Sequence, residues 1–111
     1  MPRPPAAADV FTAVADPHRR QMLVYLAARE RAVAEIVEAL QLAQPSVSKH
    51  LKVLREAGLV EPRREGKQVF YHTRAHAIRP LHEWAGIFEQ YWRHQLARIK
   101  ERAEGRKGGK T

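Results

Sequence analysis

The chain has 111 residues, a formal charge of +8 and a pI near 10.4, with 44% hydrophobic and 29% charged residues. That is one domain's worth of chain with enough apolar content for a core, which excludes wholesale disorder. There is no cysteine, which excludes disulfide frameworks, thiolate metal sites and thiol nucleophiles, and no apolar run approaches the roughly 18 residues of a membrane span.

Residues 1–8 are rich in Pro and Ala and are read as a flexible segment. They lack the apolar stretch of a signal peptide, so the cytoplasm is the expected location. Val10, Phe11 and Val14 mark a short first helix. Asp16-Pro17 starts the next, because Asp caps a helix N-terminus and Pro fits its first position. Met22, Leu23 and Leu26 give that second helix one apolar face, ending near Ala28. Val33, Ile36, Val37 and Leu40 make a third, with Glu35 and Glu38 outward, and Gln41-Leu42-Ala43-Gln44 is a tight connection.

Pro45 opens a fourth helix. Val47, Leu51 and Leu54 form a single stripe at helical spacing, and Ser46, Lys49, His50, Lys52 and Val53 make a mostly polar and basic opposite face. Ala57-Gly58 ends the helix. The period then changes. Leu59-Val60 and Val69-Phe70-Tyr71 flank a charged stretch around Gly66, which predicts a short hairpin. Ile78, Leu81, Trp84, Ala85, Phe88, Tyr91, Trp92, Leu96 and Ile99 recur at three- and four-residue steps, which predicts one long helix from residue 75 to about 103. Residues 104–111 are read as a basic flexible tail, and residues 9–103 as the folded domain. The closing Gly-Lys-Thr has no strand before it and no helix after it, so it is not a phosphate loop. The fold class is mainly α with a small β-hairpin wing, in the order α-α-α-α-β-β-α.

Charge is unevenly placed. Residues 1–40 carry five bases and five acids, whereas residues 41–80 carry eight bases and three acids. From Ala39 to Arg55 there is no acid. Helix, short turn and basic helix make the helix-turn-helix pattern, in which the second helix enters the major groove. Gln44, Ser46, Val47, Ser48, Lys49, His50 and Lys52 are assigned to the DNA face of the recognition helix 45–57. Gln pairs with adenine and Lys donates to guanine, while Ser48 and Lys52 suit phosphates. Arg63, Arg64, Lys67 and Gln68 are assigned to the wing 61–71.

Trp84, Phe88, Tyr91 and Trp92 are four of the chain's eight aromatics. A domain this small does not readily cover them all, and large exposed apolar patches mark interfaces. With Leu81, and with Phe11 and Val14 of the first helix, they are assigned to a two-fold dimer interface. Such a dimer spaces two reading heads one DNA turn apart, about 34 Å.

Three stretches resemble the ArsR/SmtB family of winged helix-turn-helix repressors: Asp16 to Leu23, Pro45 to Val60, and Arg64 to Tyr71. The resemblance covers roughly residues 9–100. It implies a homodimer joined through its first and last helices, binding to an imperfect inverted repeat in a promoter, and repression by blocking polymerase. It implies that Ser46, Ser48, Lys49 and His50 lie at the DNA surface. The chain also departs from the family. Where many members carry a Cys-x-Cys metal box, it has Ala32 and Ala34. A second family spacing, Asp-x-His-x10-His-x2-Glu/His on the last helix, is matched at two of four positions at best, tried from His82 and from His94. His72 and His76 are spaced to meet on one helical face, but no third ligand adjoins them. No metal site and no cofactor are expected, and an inducer cannot be read from the residues. No nucleophile–base pair marks an enzyme. The rival readings are a winged-helix protein-interaction module and a non-specific architectural DNA binder.

Overall fold

The computed structural model describes residues 9–108, with side chains through residue 104. The expected flexibility of residues 1–8 therefore concerns residues outside those described. Two compact units divide near residue 80. In the first, α1 (Val10–Ala13) leads to α2 (Pro17–Ala28), a two-residue strand β1 (Arg31–Ala32), α3 (Val33–Leu40), α4 (Gln44–Glu56) and a hairpin of β2 (Val60–Glu65) and β3 (Gln68–Thr73). A 3₁₀ turn, Ala75–Ile78, follows, and then α5 (Arg79–Gly86) and α6 (Glu89–Gly108). The fold is mainly helical with a small winged sheet, as expected.

Local chemistry sets the boundaries. Asp9 caps α1, accepting from the Phe11 N–H at 3.1 Å. The last carbonyls of α1 are held from α2: Arg19 Nε donates to the Ala13 carbonyl at 2.6 Å, and Arg20 donates to the Val14 carbonyl at 2.8 Å. Asp16 caps α2 through Oδ1, which accepts from the His18 N–H at 2.8 Å and the Arg19 N–H at 3.2 Å. The turn between α3 and α4 is tightened by Gln41 in the left-handed region, φ 55°. The end of α4 is a Schellman close. Gly58 takes φ 76°, its N–H donates to the Arg55 carbonyl, and the Leu59 N–H donates to the Leu54 carbonyl, both at 2.9 Å.

The core of the first unit joins α1 through α4 and the start of β2. Ala13, Met22, Leu23, Leu26, Ile36, Val47, Leu51, Leu54, Leu59 and Val60 are buried together. β2 and β3 pair antiparallel from Val60↔Thr73 to Glu65↔Gln68, closing on Gly66-Lys67. Gly66 has φ 63°, which the first position of a two-residue hairpin of this kind requires. The hydroxyl of Thr73 donates to the Leu23 carbonyl at 2.7 Å and ties the wing to α2.

Three features differ from the sequence expectations. β1 adds a third strand, pairing Arg31↔Tyr71 and Ala32↔Phe70. Two residues show no alternation, so nothing in the sequence announces the strand. The long final helix is broken. Around Ile87 and Phe88 the backbone bonds shorten to i→i−3, with the Ile87 N–H on the Trp84 carbonyl and the Phe88 N–H on the Ala85 carbonyl. Gly86 stands at the break, and glycine costs about 1 kcal/mol relative to alanine inside a helix. Finally, α6 runs to Gly108, into the segment expected to be a flexible tail. Residues 109–111, the rest of that tail, lie outside the described residues.

Candidate nucleic-acid interface

The α3–turn–α4 unit presents α4 by its outer face. Val47, Leu51 and Leu54 anchor the inner face in the core. Gln44, Ser46, Ser48, Lys49 and Lys52 are exposed. Val47 is corrected from the DNA-facing set. It is 0% exposed, so its side chain serves packing and cannot touch a base. Ala43 precedes α4 without a side-chain cap bond, and the first turn of α4 holds no acid. The free N–H groups and positive dipole end of such a helix suit a phosphate. Among the described residues, Lys49, Lys52, Arg64 and Lys67 enter no ion pair.

His50 is half-buried and turned toward the start of α2. Arg19 Nη1 stands 3.4 Å from its Nδ1, and the His18 ring centroid lies 5.7 Å from that of His50. Arginine only donates, so a neutral His50 accepts at Nδ1 and carries its proton on Nε2. Burial lowers its pKa below the usual histidine value, and the positive Arg19 and the neighbouring His18 push the same way against the pull of Asp16. Burial alone raises the Asp16 carboxyl. The backbone donors of Arg19 and His18, with the charges of His50 and Arg19, outweigh it and hold Asp16 below the usual carboxylate range.

The wing divides its bases. Arg63 and Arg64 are consecutive in β2 and project from opposite faces of the strand. Arg63 is occupied: it forms a bidentate pair with Glu30, reaches Glu65 at 3.0 Å and lies over the Phe70 ring at 5.0 Å. The bonds from Arg63 hold the Glu30 carboxyl below its ordinary range, and those carboxylates raise the Arg63 guanidinium further. Arg63 is therefore a brace between β2 and the residue before β1, whereas Arg64, Lys67 and Gln68 are exposed near the tip. His72 and His76 do not share a helical face. His72 is in β3, 3.4 Å from Glu61, and His76 is in the 3₁₀ turn.

Of the residues assigned to a dimer interface, Val14 is half-buried against the core of the first unit, and Phe11 is exposed. In the second unit Leu81 is half-buried. Trp84 and Phe88 meet edge to face at 5.3 Å, and Tyr91 and Trp92 are 59% and 55% exposed. Ile87, Leu96 and Ile99 are exposed as well, so the apolar surface extends further along the helix than the assigned set.

Comparison with known proteins agrees with this geometry. Residues 16–62 match the family model for bacterial regulatory proteins of the arsR family. Over 84 residues, 70% of this chain and 62% of the relative, the sequence is 40% identical to the HTH-type transcriptional repressor SmtB of Mycobacterium tuberculosis. The chain spans about half to three fifths of the length of the first such curated relatives. Among solved structures, an ArsR-like transcriptional regulator from Rhodococcus sp. RHA1 superposes with a TM-score of 0.67 at 26% identity, covering 90% of this chain and 91% of that one. HlyU from Vibrio cholerae superposes with a TM-score of 0.61 at 33% identity, covering 82% of this chain and 98% of that one.

Proposed function

The chain belongs to the arsR family of bacterial regulatory proteins, and from that membership we propose that it is a homodimeric, cytoplasmic repressor that binds an inverted-repeat operator in double-stranded DNA. The family is one of transcriptional regulators and not of enzymes. The observation that carries the reading is the exposed face of α4, where Gln44, Ser46, Ser48, Lys49 and Lys52 stand clear of the core on an acid-free stretch. Small hydroxyl residues let the backbone approach, and the lysines supply charge for bases and phosphates. Arg64, Lys67 and Gln68 extend the contact from the wing, and His50 borders it. Dimerisation is assigned to Phe11, Val14, Leu81, Trp84, Phe88, Tyr91 and Trp92, and the exposed aromatics of α5 and α6 support it.

Selection of genomic fragments by the purified protein tests the proposal. One enriched inverted repeat is expected, bound with a steep loss of affinity as salt rises. Random DNA that competes as well as the enriched fragment overturns it.

A further inference from the structure

Among the described residues, one trio of metal-ligating side chains converges. Asp16, His18 and His50 each offer an atom, and these atoms lie within 4.8 Å of one another. Two come from the start of α2 and the third from the middle of α4. Chain topology alone brings them together.

The carboxylate is already fixed in place. Both backbone donors that hold Asp16 use Oδ1, and the same oxygen stands 3.9 Å from His18 Nδ1, so the helix cap aims a carboxylate oxygen at a ring nitrogen. Two imidazoles and a carboxylate suit Zn and its neighbours in the first transition row. Three protein ligands with water in the fourth position make an open, exchangeable tetrahedral geometry. Bonds of about 2.0–2.2 Å put ligand atoms roughly 3.3–3.5 Å apart, so the side chains have to close by at most about 1.5 Å. They have room, since the His18 and Asp16 side chains are 45% and 30% exposed. The opposing charge is Arg19, 3.4 Å from His50 Nδ1. An incoming ion displaces it, and the Ala13 and Thr12 carbonyls that already accept from Arg19 retain it nearby.

We propose that Asp16, His18 and His50 form a binding site for a divalent first-row transition-metal ion, which ties α4 to the start of α2. The site stands independently of DNA reading, and its test contains no DNA. The full-length protein is titrated with Co(II), followed by its visible absorption, and with Zn(II) by calorimetry and by competition against Co(II). One ion per chain is expected. His18→Gln and His50→Gln each lower affinity at least tenfold. Asp16→Asn retains a helix-capping side chain and still weakens binding, which separates loss of a ligand from loss of fold. Zn(II) raises the thermal midpoint of the parent protein but not that of His18→Gln. A combined His72→Gln, His76→Gln, His82→Gln, His94→Gln variant binds as the parent does. Affinity unchanged in both His18→Gln and His50→Gln, or lost instead in the fourfold variant, overturns the proposal.

Discussion

Arg63 lies over the Phe70 ring with its donors taken by Glu30 and Glu65, while Arg64 beside it faces solvent. Their sequence context is nearly the same, and the difference comes from Glu30, 33 residues away. In Arg63→Ala the Glu30 carboxyl returns upward toward the ordinary range, which a carboxylate NMR titration reads. The sign follows from the direction of the shift. A depressed carboxyl stabilises the fold above its unfolded pKa, and that contribution is lost as pH falls through the folded value. The stability gap between parent and Arg63→Ala is therefore present at neutral pH and closes in acid. A gap that widens in acid refutes the brace. On α4, Lys49→Ala is expected to weaken specific DNA binding by about 1–3 kcal/mol with an unchanged melting point. Val47→Ala behaves in the opposite way, losing about 1–3 kcal/mol of stability because it empties part of the core. Binding isotherms and denaturant melts on both variants separate the two roles.

At the scale of elements, the helices of the first unit were legible because their signals are local. Asp16-Pro17 opens α2, and the Val47–Leu51–Leu54 stripe already marks the inner face of α4. That stripe placed Val47 inside, against its inclusion among the DNA-facing residues. The unread features depend on partners distant in sequence or on backbone detail. β1 is defined by its pairing with Tyr71 and Phe70, and the Asp16–His18–His50 cluster joins residues that no short spacing rule compares. The break between α5 and α6 hides inside an uninterrupted apolar period, because Trp84, Phe88, Tyr91 and Trp92 keep helical steps across it. Gly86 has no atoms within 4 Å of an added Cβ. Gly86→Ala is therefore expected to raise helicity and to add about 0.5–1 kcal/mol to stability, measured by circular dichroism. Gly58→Ala is strained by its positive φ, although the added Cβ would meet only Arg74 Nη1, at an ordinary 3.8 Å, and should cost about 1–2 kcal/mol in a urea melt.

At the scale of the whole molecule, the proposed dimer rests on the exposed aromatics of α5 and α6. Trp92→Glu is expected to convert a dimer to a monomer by light scattering while the helical content persists, and a dimer that survives removes Trp92 from the interface. The monomer should also lose most operator affinity, because two linked half-sites bind far more tightly than one. The position of Arg19 has a mechanical consequence. Its guanidinium grips the Ala13 and Thr12 carbonyls of α1 while one nitrogen rests beside the His50 ring on α4. One planar side chain thus joins the end of α1 to the middle of α4, in addition to the packing of the buried leucines. Lysine, which has the charge but no rigid fork, would not hold the two carbonyls and the His50 ring together.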